Sequence, residues 1–282
     1  MNGPFRLRHV TPQGRGVPLV LLPGLFAGRW LWEGVLAQCA LRRRTAFVCD
    51  TSFLGMSGAP SATEELADLL FDDLAAAGIE RAVIVGGSFG GLLALEFAGR
   101  RAASVEHLVL SGAPGFGNDF RAGPRSRGAL TPVRALEVAA RVLHDHTLLP
   151  ARFIEDARRE IVDPARFVRM LRLLRAAGRS DTAHLLRRVS SPTALIWGAH
   201  DTVTPLAPWT AVVDTSWSVR IIPRTGHAPM LEAPVPFSKA LFAAIGAPRH
   251  RYAGASLRCA PYCFGSKYQA GSSAGNLTSR NV

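Results

Sequence analysis

The sequence predicts an α/β fold: a mostly parallel central sheet with helices on both faces. Three observations carry this reading. Short apolar runs of strand length end in turn residues, helical patterns alternate with them, and one run passes through Gly86-Gly87-Ser88-Phe89-Gly90 straight into a helical pattern. With 282 residues, 48% of them hydrophobic and 19% charged, the chain can bury a large core, which excludes global disorder.

The elements follow in order. Val17–Leu22 is an apolar run that stops at Pro23-Gly24, and Thr45–Cys49 stops at Asp50. Ser61 and Glu64 have capping-box spacing, Leu66, Leu69, Leu70 and Leu74 form one apolar face, and Gly78 closes that helix. Arg81–Val85 stops at Gly86-Gly87, Leu92–Phe97 reads as a helix, and His107–Leu110 stops at Ser111-Gly112. The alternation resumes at Pro192 with Thr193–Trp197, a helix near Pro205–Val213, the run Val219–Ile222 and a helix near Val235–Ile245. Runs this apolar are strands buried on both faces, as in parallel sheets.

The interruption has a different texture. Residues 115–189 are helix-patterned and hold 15 Arg against 8 acidic residues, and Phe167–Leu174 is amphipathic with Arg169, Arg172, Arg175 and Arg179 roughly along one face. The expected organisation is a core of residues 1–114 and 190–246, a helical cap of residues 115–189, and a disordered tail of residues 247–282 that is Gly/Ser/Arg-rich. The net charge of +12 lies in the cap and tail, and 31 of the 33 basic residues are Arg. That bias reads mainly as nucleotide composition, and the Arg face as solvated helix surface.

Several classes are excluded. No apolar run approaches the ~18–20 residues of a membrane-spanning helix. Val17–Leu22 follows three arginines, but it is too short for a signal peptide and no cleavage site follows it. Cys39, Cys49, Cys259 and Cys263 make no disulfide framework or zinc spacing, so free thiols and a cytoplasmic location are expected. No nucleic-acid motif is present, and the basic tail is too sparse to indicate one.

The chemistry centres on G-x-S-x-G at residues 86–90, in the strand–turn–helix setting that gives the motif meaning. A serine hydroxyl needs a base, and the base an orienting acid. Asp201 lies just beyond the run Thr193–Trp197, and His227 lies in the loop after Val219–Ile222. Strand ends on one sheet edge converge in space. His107, His144, His146, His184, His200 and His250 read as structural or exposed, and Asp50 as a capping or turn residue.

In the order Ser, Asp, His, these motifs make the chain resemble an α/β-hydrolase of the esterase and lipase superfamily, over about residues 5–246. The resemblance implies the α/β-hydrolase fold with its cap after the sixth strand. It also implies a triad of Ser88, Asp201 and His227, and an oxyanion hole from the Leu25 and Phe89 backbone N–H groups. Pro23-Gly24 stands where relatives often carry His-Gly, and Asp50–Ser57 departs from the commoner Asp-x-x-Gly-x-Gly-x-Ser. Ser88 disfavours haloalkane dehalogenases and epoxide hydrolases, which use Asp at this point. Gly87 and Ala228 depart from meta-cleavage hydrolases, and Phe89 from prolyl aminopeptidases.

The expected activity is therefore hydrolysis of a carboxylic ester or thioester of a small to medium apolar substrate, through an acyl-enzyme and without metal or organic cofactor. An acyl-carrier or CoA thioester is a further substrate form that the Arg-rich cap would suit. Phe116, Phe120, Phe153 and Phe167 are candidates for an acyl pocket or for core packing of the cap. Two other functions fit the same residues: a C–C bond or lactone hydrolase with the same triad, and a non-catalytic ligand-binding protein of the same fold.

Overall fold

The computed structural model describes residues 4–11, 14–50, 53–56, 62–116, 141–148, 150–213 and 216–246. Seven strands form one sheet: β1 (Leu7–His9), β2 (Leu19–Leu22), β3 (Ala46–Cys49), β4 (Ala82–Gly87), β5 (Val105–Ser111), β6 (Thr193–Gly198) and β7 (Ser218–Ile222). Their order is β1-β3-β2-β4-β5-β6-β7, with β1 antiparallel to β3 and every other pair parallel. The six predicted strands are all present. β1 is the addition: three residues with one buried side chain offer too little alternation to read from sequence.

Helices cover both faces, as expected. α1 (Glu33–Leu41) and the C-terminal α9 (Pro234–Gly246) pack on one face, and α2 (Thr63–Ala76) and α3 (Phe89–Arg100) on the other. Two apolar clusters sandwich the sheet. β4 sends Val83 and Val85 into one and Ala82 and Ile84 into the other, following the two-residue period of a strand. α2 buries Leu66, Leu70 and Leu74, and Gly78 closes it at φ 69°. Its N-cap is Ala62, without a side-chain cap, whereas capping by Ser61 was expected; Ser61 lies outside the described residues. Helices α7 (Ala207–Thr210) and α8 (Pro229–Glu232) are single turns beside the strand ends. α7 is shorter than the Pro205–Val213 expectation.

Between β5 and β6 the chain forms α4 (Ala151–Val162), α5 (Pro164–Arg179) and α6 (Thr182–Arg188). They follow the fifth described strand rather than a sixth, because the described sheet has one strand fewer than the family count assumed. Asp163 caps α5 by accepting from the Ala165 and Arg166 amides at 2.9 and 3.1 Å, and Pro164 supplies a first helical position that needs no donor. α5 buries Met170, Leu173 and Ala177. Arg169 of the predicted stripe turns inward, donating to the Leu54 and Met56 carbonyls. Arg172, Arg175 and Arg179 stay exposed. The tail of residues 247–282 and residues 117–140 of the expected cap lie outside the described residues.

The turn from β4 into α3 brings three backbones into contact. A Cβ on Gly90 would lie 2.4 Å from both the Leu22 and Pro23 carbonyl oxygens, and one on Gly86 would lie 2.3 Å from the Gly90 oxygen. Neither obstacle is a side chain that can swing away. Gly90→Ala is therefore expected to destabilise the fold by about 3 kcal/mol or more. The denaturant midpoint checks this, and a midpoint equal to wild type would mean that β2 and α3 are not held this close in solution.

Candidate active site

Ser88 sits between β4 and α3 at φ 52° and ψ −127°, a left-handed conformation that L-residues rarely adopt. Such strain costs on the order of 1–3 kcal/mol and persists only where surrounding packing enforces it. Here the enforcement is visible: the Ser88 amide donates to the Ser111 carbonyl at 2.8 Å, extending the β4–β5 ladder, while its carbonyl accepts from Gly91 at 2.7 Å to start α3. The side chain is thereby thrust off the sheet edge into a cavity.

The chain after β2 passes directly beside it. A Cβ on Gly24 would lie 3.1 Å from the Ser88 Cβ and 3.5 Å from its hydroxyl oxygen. Leu25 follows, lining the same cavity. Phe89 opens α3, so its N–H has no intrahelical acceptor. Among the described residues neither the Leu25 nor the Phe89 amide has a hydrogen-bond acceptor.

Asp201 and His227 meet at the adjoining strand ends. Asp201 Oδ1 accepts from the Val203 and Thr204 amides, both at 2.9 Å, and Oδ2 lies 3.0 Å from His227 Nδ1. An ionised carboxylate only accepts, so the proton belongs on Nδ1 and Nε2 is left as the basic nitrogen. Burial pushes the Asp201 carboxyl up. The His227 charge outweighs this, together with hydrogen bonds from His227 and from the Thr204 amide and hydroxyl, and holds the carboxyl below its ordinary range. Both side chains are almost wholly buried.

Two residues with no recognised role in the sequence complete the dyad. Thr204 is 1% exposed, and its hydroxyl oxygen lies 3.1 Å from His227 Nδ1, 3.1 Å from Asp201 Oδ2 and 2.9 Å from the Gly112 carbonyl oxygen. Its single proton serves one acceptor at a time, so the hydroxyl ties acid, base and the end of β5 into one network. Gly112, at φ 58°, leaves room for the imidazole: a Cβ there would lie 2.8 Å from His227 Cε1 and Nδ1. In the sequence Gly112 is a strand-ending turn residue like many others, and nothing local distinguishes it.

Ser88 and His227 line one apolar cavity of about 80 Å³, walled by Trp30, Leu31, Leu143, Phe153 and Met230. Trp30 also donates from its indole to Asp156 at 2.9 Å, fastening α4 over the loop after β2. Of the candidate phenylalanines among the described residues, Phe153 alone lines it. Phe116 packs edge-on against Trp209 at 5.3 Å, Phe167 packs on the core cluster on the α2–α3 side of the sheet, and Phe120 lies outside the described residues. Asp50 pairs with Arg8 at 2.8 Å, away from the cavity. The wall expected from Asp50–Ser57 is described only in part, since residues 51, 52 and 57 lie outside the described residues. Among the described residues no three His, Cys, Asp or Glu side chains converge to hold a metal ion, and no helix is long and apolar enough to cross a membrane.

Comparison with known proteins gives three kinds of likeness. A model of the Alpha/beta hydrolase family matches residues 19–240. A pimeloyl-[acyl-carrier protein] methyl ester esterase of Chromobacterium violaceum is 29% identical over 251 residues, covering 82% of this chain and 95% of that protein. Two solved structures share the fold. The enol-lactonase from Burkholderia xenovorans LB400 has a TM-score of 0.69 at 18% identity, covering 86% of this chain and 96% of its own. A meta-cleavage product hydrolase from Pseudomonas fluorescens IP01 has a TM-score of 0.68 at 20% identity, covering 85% and 93%.

Proposed function

The chain belongs to the alpha/beta hydrolase family, and from that premise we propose that it is a serine hydrolase cleaving carboxylic esters or thioesters of small to medium apolar substrates. The observation that carries this reading is the buried Asp201–His227 pair, 3.0 Å apart, opening with Ser88 onto one apolar cavity. In this reading His227 Nε2 takes the Ser88 proton as the hydroxyl oxygen attacks the acyl carbon. The Leu25 and Phe89 N–H groups, each without another acceptor among the described residues, stabilise the oxyanion. His227 then returns the proton to the leaving alcohol or thiol, an acyl-Ser88 ester remains, and water repeats the sequence to release the acid. Asp201 keeps the imidazole in the useful tautomer and stabilises its charged form.

The cavity supports the substrate class. Among the described residues its hydrogen-bonding side chains are Ser88, His227 and Trp30, whose indole already donates to Asp156, and no Asp, Glu, Lys or Arg lines it, so a charged acyl group would lose hydration without a partner. Residues 115–189 act in this reading as a cap, with α4 supplying Phe153 to the wall. The exposed Arg172, Arg175 and Arg179 are compatible with a carrier-bound substrate, and the Chromobacterium relative is named for a methyl ester on an acyl-carrier-bound acid, which is a carboxylic ester.

Hydrolysis of p-nitrophenyl esters of increasing acyl length, with fluorophosphonate labelling read by mass spectrometry, tests the proposal. The label is expected on Ser88, with turnover falling as the acyl chain outgrows the cavity. Full labelling with no ester turnover would favour the C–C bond or lactone reading. Absence of label on Ser88 would overturn the mechanism.

A further inference from the structure

Glu232 ends α8, five residues beyond His227, and its carboxylate is spent on the backbones of two separate segments. Oε1 accepts from the Gly226 amide at 2.6 Å, and Oε2 accepts from the His144 and Asp145 amides at 2.8 and 3.1 Å. Gly226 immediately precedes His227, while the segment at 142–145 carries Val142 and Leu143 into the cavity wall. The two segments are in backbone contact: the His227 amide donates to the Val142 carbonyl at 2.8 Å, and a Cβ on Gly226 would lie 2.7 Å from the His144 nitrogen. The acid loop joins the same cluster. His200, next to Asp201, stacks on His144 with ring centroids 4.1 Å apart, and its amide donates to the Thr225 carbonyl at 2.9 Å.

We propose that Glu232 is a positioning residue whose carboxylate clasps the His227 loop to the cavity wall at 142–145, so that base and wall are held as one unit. The inference rests on the reading of Ser88, Asp201 and His227 given above. The donor pattern is specific for a carboxylate of this length. Both oxygens must accept, so glutamine turns an NH₂ donor toward one set of amides and leaves them unpaired. Aspartate retains the charge but lacks the methylene needed to reach both segments at once. A base displaced by even about 1 Å from its nucleophile loses rate on the order of a hundredfold.

The test uses the full chain as wild type, Glu232→Gln and Glu232→Asp. Three quantities are measured at a temperature where all three are folded: the rate and endpoint of fluorophosphonate labelling at Ser88, kcat and KM for a short p-nitrophenyl ester, and amide hydrogen exchange at Gly226, His144 and Asp145. Both variants are expected to label to the wild-type endpoint, but about ten- to a hundredfold more slowly. A matching fall in kcat, KM within about twofold and faster exchange at the three amides should accompany the slower labelling. A wild-type labelling rate in either variant overturns the clasp; for Glu232→Asp it would mean that charge alone matters. A reduced endpoint with a wild-type rate in the labelled fraction overturns it too, by assigning Glu232 a folding role only. If the wild type does not label at Ser88, the triad reading fails, and the exchange rates still decide the clasp: unchanged exchange overturns it.

Discussion

Ser88→Ala is expected to lower kcat for any ester the wild type turns over by about 10⁴-fold or more, with KM little changed. The hydroxyl is the attacking atom in the proposed mechanism, and among the described residues no other hydroxyl or thiol lines the cavity to replace it. The fold should survive the change. Ser88 holds φ 52° through backbone bonds to Ser111 and Gly91, which alanine retains, and alanine bears the same strain at that angle. Parallel unfolding curves for wild type and Ser88→Ala would therefore accompany the loss of turnover and of fluorophosphonate labelling. Residual activity within tenfold of wild type would remove Ser88 from the mechanism.

Asp201→Asn is expected to cost about 10³–10⁴-fold in kcat, although it changes a single atom. The backbone decides which way the amide turns. The Val203 and Thr204 N–H groups, both 2.9 Å from Oδ1, require an acceptor there, so the carboxamide oxygen takes that place. Its NH₂ is then directed at His227 Nδ1, 3.0 Å away, which must accept instead of donate. The ring proton moves to Nε2, and the general base of the proposed mechanism is lost.

The same pair sets a pH dependence of stability. The folded Asp201 carboxyl lies below its ordinary range, so the stabilisation it contributes is fully present above the unfolded value of about 3.9. It is lost as the pH falls through the lower, folded value. The gap in unfolding free energy between wild type and Asp201→Asn should thus be widest near neutrality and close in acid. A gap that stays constant down to the lowest pH at which both proteins fold would count against the charged pair.

What could be read in the linear sequence is what short-range chemistry controls. Apolar runs bounded by turn residues located six of the seven described strands, and the glycines around Ser88 marked the turn, because the steric demand and the residues that meet it are neighbours in the chain. Asp201 and His227 were legible because each follows its own strand within a few residues, and parallel strands deliver their ends to one edge. β1 was missed, with three residues too few for a pattern. Phe116 and Phe167 were indistinguishable from Phe153 in sequence, since an aromatic residue on a helix face gives no sign of which surface that face meets.

By itself, then, the sequence determined the α/β class, the sharp turn at Ser88 and the strand ends from which Asp201 and His227 extend. Only the tertiary structure decided how they are held. Thr204 reaching Gly112, Gly112 yielding space to His227 and Glu232 joining Gly226 to His144 are contacts across 92, 115 and 88 positions of chain. Each depends on distances of about 3 Å between groups whose types are common everywhere in the sequence. Hydrogen bonds and van der Waals contacts act over that range alone, so their partners are defined only once the sheet has brought the segments together.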